Sequence, residues 1–281
     1  MDLVGQIKQL AEKCLARIKG GPVDTMSPEE RALRDVITES ESTLGPEHPE
    51  TLDLLSQLAC GLRQIGSLAE AATLFNRVLE ARERTLGPDH PDILASQHEL
   101  GGLLADQGYA GDAEVLLRSA AEGRERALGP NHPDTLTSLS RIVTLLSARG
   151  DIENALLLCK HVVAIRQRVL EPDDPDTLTS FDQLASLLYD KGDFGAAEPH
   201  CRRTLSLRDR ILGPEHPDSG IAAHRLSLVL RASGRGTKAL PLAERAERVL
   251  RATLGDENTW TQAAAANLAE IRSKFGIKLE E

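Results

Sequence analysis

The chain has 281 residues, with 43 Asp and Glu against 33 Lys and Arg, giving a net charge of −10. No stretch is strongly basic, which excludes nucleic acid as a general partner, because binding phosphates needs a positive footprint. The first twenty residues carry charges throughout, and no later segment approaches the roughly 18 uncharged apolar residues of a membrane span. The chain therefore reads as soluble and cytoplasmic, with no membrane partner.

In chain order, the first expected element is an amphipathic helix within residues 1–21, marked by Leu3, Ile7, Leu10, Cys14 and Ile18. It reads as a cap on the first end of a repeat array, and Gly20-Gly21-Pro22 reads as a hinge. Residues 22–43 form half a repeat: Ser27-Pro28-Glu29-Glu30 is a capping box with proline at the first helical position, opening a helix that carries Ala32, Leu33, Val36 and Ile37.

Residues 44–253 hold five copies of a 42-residue unit. Each begins with a corner sequence: LGPEHPET at Leu44, LGPDHPDI at Leu86, LGPNHPDT at Leu128, LEPDDPDT at Leu170 and LGPEHPDS at Leu212. A fixed period in this range signals a stacked array of helix pairs. With the corner leucine as slot 0, slot 14 carries Leu58, Leu100, Ile142, Leu184, Leu226 and Leu268. Slot 15 carries the small or short residues Ala59, Gly101, Val143, Ala185, Ser227 and Ala269. Apolar residues beside a small one describe a first helix packed closely on a neighbour. Glycine at slot 22 (Gly66, Gly108, Gly150, Gly192, Gly234 and Gly276) ends that helix in the left-handed conformation.

A second helix comes next, with alanine at slot 27 in five copies, Ala71, Ala113, Ala155, Ala197 and Ala239. It ends in arginines, Arg82, Arg84, Arg124, Arg126, Arg166, Arg168, Arg208 and Arg210, where positive charge suits the negative end of the helix dipole. The corner then stops the chain. Its prolines forbid continuation and its acidic residue charges the next first turn. His48, His90, His132 and His216 recur at spacings that put neighbours on the order of 10 Å apart, too far for a shared metal, so they are turn residues and no metal or cofactor is expected. Cys159 and Cys201 occupy one slot of successive units, an apolar slot held elsewhere by Phe75 and Leu117, and read as buried thiols. Residues 254–281 repeat the corner weakly (LGDENTWT) and close the array with a partial repeat or capping helix.

A helix pair with a small residue at slot 15, glycine at slot 22 and alanine at slot 27 resembles the tetratricopeptide repeat. The 42-residue period, the LGPxHPxT corner and the stretch DFGAAEPHCRRTLSLR from Asp193 to Arg208 look more specifically like the kinesin light chain and nephrocystin-3 type. Pro199 inside the second helix, echoed by Pro241, matches the same family. The resemblance implies an all-α, right-handed superhelical solenoid whose first helices line a concave groove. Residues at slots 9, 12, 13, 16, 19 and 20 would point into it, and the candidate partner-binding set is Gln57, Arg63, His98, Glu99, Arg141, Asp182, Gln183, Tyr189, His224, Arg225, Arg231 and Asn267. These slots change from unit to unit while the packing slots hardly vary, as a surface that reads a peptide requires.

The function expected is a non-catalytic scaffold that binds a protein or peptide partner, with Arg141, Arg225 and Arg231 gripping acidic groups. Self-association through the array ends or the N-terminal helix is the alternative, and a small-molecule receptor or a regulatory fragment of a larger protein is a third. No GxSxG, HExxH, GxxxxGK[ST] or GxGxxG motif occurs. His98 with Glu99, and His224 with Asp182, are isolated acid–base pairs without a nucleophile beside them.

Overall fold

The computed structural model describes residues 28–171 and 173–275. The expected helix within 1–21, the Ser27 cap, Gly276 and the final residues lie outside the described part. Among the described residues there are twelve α-helices and no strand: α1 (Pro28–Thr43), α2 (Pro49–Gln64), α3 (Leu68–Thr85), α4 (Pro91–Asp106), α5 (Ala110–Leu128) and α6 (Pro133–Ala148), then α7 (Ile152–Val169), α8 (Pro175–Asp190), α9 (Phe194–Leu212), α10 (Pro217–Ala232), α11 (Gly236–Leu254) and α12 (Thr259–Phe275). Helices pack mainly on their neighbours in sequence, so the architecture is an all-α repeat solenoid. The chain forms two compact units divided between Leu145 and Leu146, inside α6.

In the first unit Leu33, Leu58, Phe75, Ile93, Leu103 and Leu117 are enclosed between first and second helices; in the second, Phe181, Leu226, Leu230, Leu250 and Ile271 play that part. Small residues at slot 15 permit the close approach. A Cβ added to Gly101 would stand 2.9 Å from the Leu117 side chain, inside normal contact. At slot 22, φ is 83° at Gly192 and 76° at Gly234, with no other heavy atom near enough to obstruct a side chain. Backbone conformation alone selects glycine there, since any other residue would be strained by about 1–2 kcal/mol.

The corner histidines have a definite task. His48, His90 and His216 are N-caps of first helices, each with proline as the first helical residue. In all four corners Nδ1 accepts the backbone N–H two residues on: His48 from Glu50 at 3.3 Å, and His90, His132 and His216 from Asp92, Asp134 and Asp218 at 3.2 Å each. The exceptions show what is required. Asp174 Oδ1 accepts from Asp176 N at 2.9 Å, and Asn258 Oδ1 accepts from Trp260 N at 2.9 Å. Any short side chain presenting an acceptor two bonds beyond Cβ satisfies one otherwise orphaned helix N–H. The helix thus begins at the proline, with the acidic residue next to it in the first turn.

The arginines that end the second helices do more than face the dipole. Arg82, Arg124 and Arg166 each reach across to the next first helix. Nη1 donates to a backbone carbonyl (Asp92 at 3.2 Å, Asp134 at 3.1 Å, Asp176 at 3.0 Å) and to a serine hydroxyl fourteen residues on (Ser96 at 2.7 Å, Ser138 at 2.8 Å, Ser180 at 2.6 Å). Where the serine is replaced by Ala222, Arg208 Nη1 keeps only the backbone carbonyl of Asp218, at 3.5 Å, and Nη2 donates to Asp182 Oδ2 at 2.6 Å. Where the arginine is replaced by Leu250, its slot partner is Ala264, and both are fully enclosed. A second arginine set holds the corner before it: Arg84 to Glu47, Arg126 to Asp89 and Arg210 to Asp173.

Candidate functional site

Consecutive first helices touch within each unit, α2 with α4 and α10 with α12, so their outward faces are continuous there. On the first-unit face, Arg63 of α2 lies along α4. Its Nε donates to Asp106 Oδ2 at 2.7 Å and its Nη1 to Glu99 Oε2 at 3.4 Å. The guanidinium occupies space that a side chain at Gly102 would need, 3.2 Å from such a Cβ. Gln57 is half-buried.

His98, only 6% exposed, faces Ser138 Oγ at 3.4 Å, and Ser138 is the hydroxyl that Arg124 holds. Burial first, and then the charges of Arg124, Arg141 and Arg63, push its pKa down to about 3, so the ring is neutral. Arg141 is half-buried on α6 and carries no ion pair among the described residues.

On the second-unit face, α8, α10 and α12 surround a cavity of about 270 Å3 with Cys201 of α9 beneath it. The inner surface comes from the buried Ala185, Cys201 and Val229, with Leu228 and the ring of Trp260 beside them; Ser186, Tyr189 and Asp190 form the α8 side. The site brings together three residues singled out from the sequence, Tyr189, His224 and Arg225. The Arg225 guanidinium lies over Trp260, 5.6 Å from the ring centroid. His224 meets the same ring edge-on, at 6.3 Å and 76°. Tyr189 packs on Phe194 at 5.3 Å.

A buried carboxylate sits behind this face. Asp182 accepts from Arg208 Nη2 at 2.6 Å, and Arg225 Nη1 reaches its backbone carbonyl at 3.4 Å and its Oδ1 at 3.9 Å. Arg225 is therefore held by an aromatic face and a fixed counter-charge. Burial, then Arg225 and Arg231, lower the pKa of His224 to about 4, and its Nδ1 is enclosed without a hydrogen-bond partner among the described residues. Burial likewise raises the Cys201 thiol to about 12, which leaves it an inert apolar surface.

The remaining residues of the set lie elsewhere. Arg231 is paired with Glu270. Asn267 is an interior residue, donating to Ser227 Oγ at 2.7 Å, which itself bonds the His224 carbonyl at 2.6 Å. Gln183 is half-buried on α8. Trp260 is outside the set, because it belongs to a corner slot rather than to the groove slots. Its signal in the sequence is rarity: it is the only tryptophan in the chain. The Arg208–Asp182 link is legible as the loss of serine at Ala222 coinciding with an acid at slot 12.

Tetratricopeptide repeat family profiles match residues 51–92 and 93–134, and then 134–198 and 177–252. Among solved structures, the chain is 28% identical to a Podosopora anserina protein with nearly identical TPR-like repeats, described as kinesin light chain-like, over 74% of this chain and 98% of that one, with a TM-score of 0.65. BtubC (BKLC) of P. vanneervenii shares the fold at 18% identity, covering 85% of this chain and 95% of its own, with a TM-score of 0.69. The apo quorum sensor NprR of B. thuringiensis does so at 12% identity, over 100% and 73%, with a TM-score of 0.70. Comparison with curated protein sequences returns no match. Period, corner, helix pairing and profile matches agree: the chain belongs to the tetratricopeptide repeat family.

Proposed function

We propose that the protein is a non-catalytic interaction scaffold that takes a peptide or helix of a partner protein on its first-helix face. The observation that carries this reading is the cavity between α8, α10 and α12, which is mainly apolar inside and has fixed polar groups around it. A concave site of this composition, about 270 Å3, has room for one large side chain of a partner rather than for a whole small-molecule ligand. On the first unit, Arg141, whose guanidinium makes no ion pair among the described residues, offers a separate place for an acidic group. Membership of a family that in general serves as protein-interaction modules supports the reading. No described helix is long and apolar enough to cross a membrane.

The test is capture from lysate of the source cells with the immobilised chain, its Leu228→Glu variant and its Lys238→Glu variant, with circular dichroism confirming that all three fold. Leu228 lines the cavity, whereas Lys238 is exposed on α11. Partners lost with Leu228→Glu and kept with Lys238→Glu are the expected result. The opposite pattern would move recognition to the second helices, and recovery of only the protein's own copies would favour self-assembly.

A further inference from the structure

We infer that the cavity between α8, α10 and α12 receives a basic side chain of the partner, a lysine or arginine whose hydrocarbon stem lies inside and whose cation sits at Asp190. The inference rests on the interaction-scaffold reading and names the chemistry this site selects.

The charges around the cavity decide the sign. Arg225 lies over Trp260 with Asp182 behind it, and Asp182 is itself anchored by Arg208. Arg231 is neutralised by Glu270. An acidic side chain entering here would have to draw Arg225 away from both its ring and its counter-charge. Asp190 is different: it is exposed, it borders the cavity, and it has no ion-pair partner among the described residues.

Asp190 is also the last residue of α8, a helix with no basic residue in its last turn. A carboxylate there adds to the negative end of the helix dipole, so the place is short of one positive charge. Lys191, next in the chain, is drawn off to Glu153 at 2.7 Å.

The repeat supplies its own template for the missing cation. Asp106 holds the same slot in the first unit, and the residue that meets it is Arg63, from the end of the preceding first helix, with Nη2 at 2.6 Å. The slot that Arg63 occupies is Ser147 in the repeat before Asp190. What Arg63 provides internally at Asp106 is therefore left to be provided from outside at Asp190. The walls suit a long stem: Ala185, Leu228, Val229 and the Trp260 ring present hydrocarbon, along which lysine and arginine lay their methylenes while the charged head stays at the rim.

The experiment is selection of a random decapeptide display library on the immobilised full chain, followed by titration of the selected peptides using the emission of Trp260. The expected result is enrichment of one basic position beside an apolar one. Affinity should fall about tenfold with Asp190→Asn, the loss of one charge-assisted contact, and further with Asp190→Lys, while Lys238→Gln, an exposed position on α11 that does not line the cavity, shifts it less than about twofold. Asp190 is exposed, so its variants should fold, which circular dichroism checks.

Enrichment of acidic peptides that lose affinity with Arg225→Gln would overturn the inference and leave the scaffold reading intact. Peptides insensitive to both Asp190→Asn and Leu228→Glu, or no selected peptide at all, would overturn both.

Discussion

Replacing Arg166 by leucine is expected to destabilise the second unit by about 3 kcal/mol, the usual scale for breaking a buried charged network. Arg166 is 2% exposed. Its Nη1 serves both the Asp176 carbonyl and the Ser180 hydroxyl, and Nη2 lies 3.3 Å from Asp176 Oδ2. Burial lowers its pKa, and the nearby carboxylates of Asp176 and Asp174 oppose this. Leucine would take away the donor to Ser180 Oγ, leaving that hydroxyl only its own bond to the Asp176 carbonyl at 3.0 Å.

The double variant Arg166→Leu/Ser180→Ala should recover most of the loss, because it recreates the Leu250 and Ala264 pair that the last repeat already uses. Denaturant midpoints of the parent, both single variants and the double variant give the coupling. A double variant no more stable than Arg166→Leu would show that the arginine acts through something other than this partner.

The corner, the period and the helix pairing are legible in the sequence because they depend on backbone rules that each repeat must satisfy separately. Glycine at slot 22 and an acceptor at the corner are chosen within a few residues, so six copies state the same constraint. The arginine–serine bridges escape such a reading for a different reason. They join slot 38 of one repeat to slot 10 of the next, and a chain read for helix dipoles treats a terminal arginine as solvated. The fourteen-residue offset, occurring at Arg82, Arg124 and Arg166 with serine and altered together at Leu250 and Ala264, is present in the sequence and identifies the contact.

The candidate binding residues are legible only in part. Slot position places Tyr189, His224 and Arg225 around one cavity, but it does not show that Asn267 bonds Ser227 or that Arg63 is committed to Asp106. Whether a polar side chain turns outward or inward depends on what its neighbour across the helix pair offers. One repeat taken alone does not contain that neighbour.

Acid is expected to weaken both units well above the range in which exposed carboxylates titrate. His98 and His224 have folded pKa values pushed down to about 3 and about 4, below the usual 6.5 of an unfolded histidine. Between those limits the unfolded chain binds the extra proton and the folded one does not, so stability rises with pH. The contribution is fully present above pH 6.5 and is lost as pH falls toward the folded values. At pH 5 each histidine withdraws about 2 kcal/mol from its own unit.

Urea midpoints between pH 7.5 and 5 check this, with Trp260 emission reporting on the second unit. His224→Asn should flatten the dependence of the second unit and His98→Asn that of the first. Slopes unchanged by both substitutions would mean that other groups govern the acid response.

Whether a partner sits on the first-helix face of the second unit is decided by site-specific photocross-linking of the protein bound to a captured partner. A photoreactive residue at Ser186, exposed beside the cavity, is compared with one at Lys238, exposed on α11. Cross-links to the partner are expected from position 186 and none from position 238. Cross-links from 238 alone would refute recognition at the cavity and place it on the second helices.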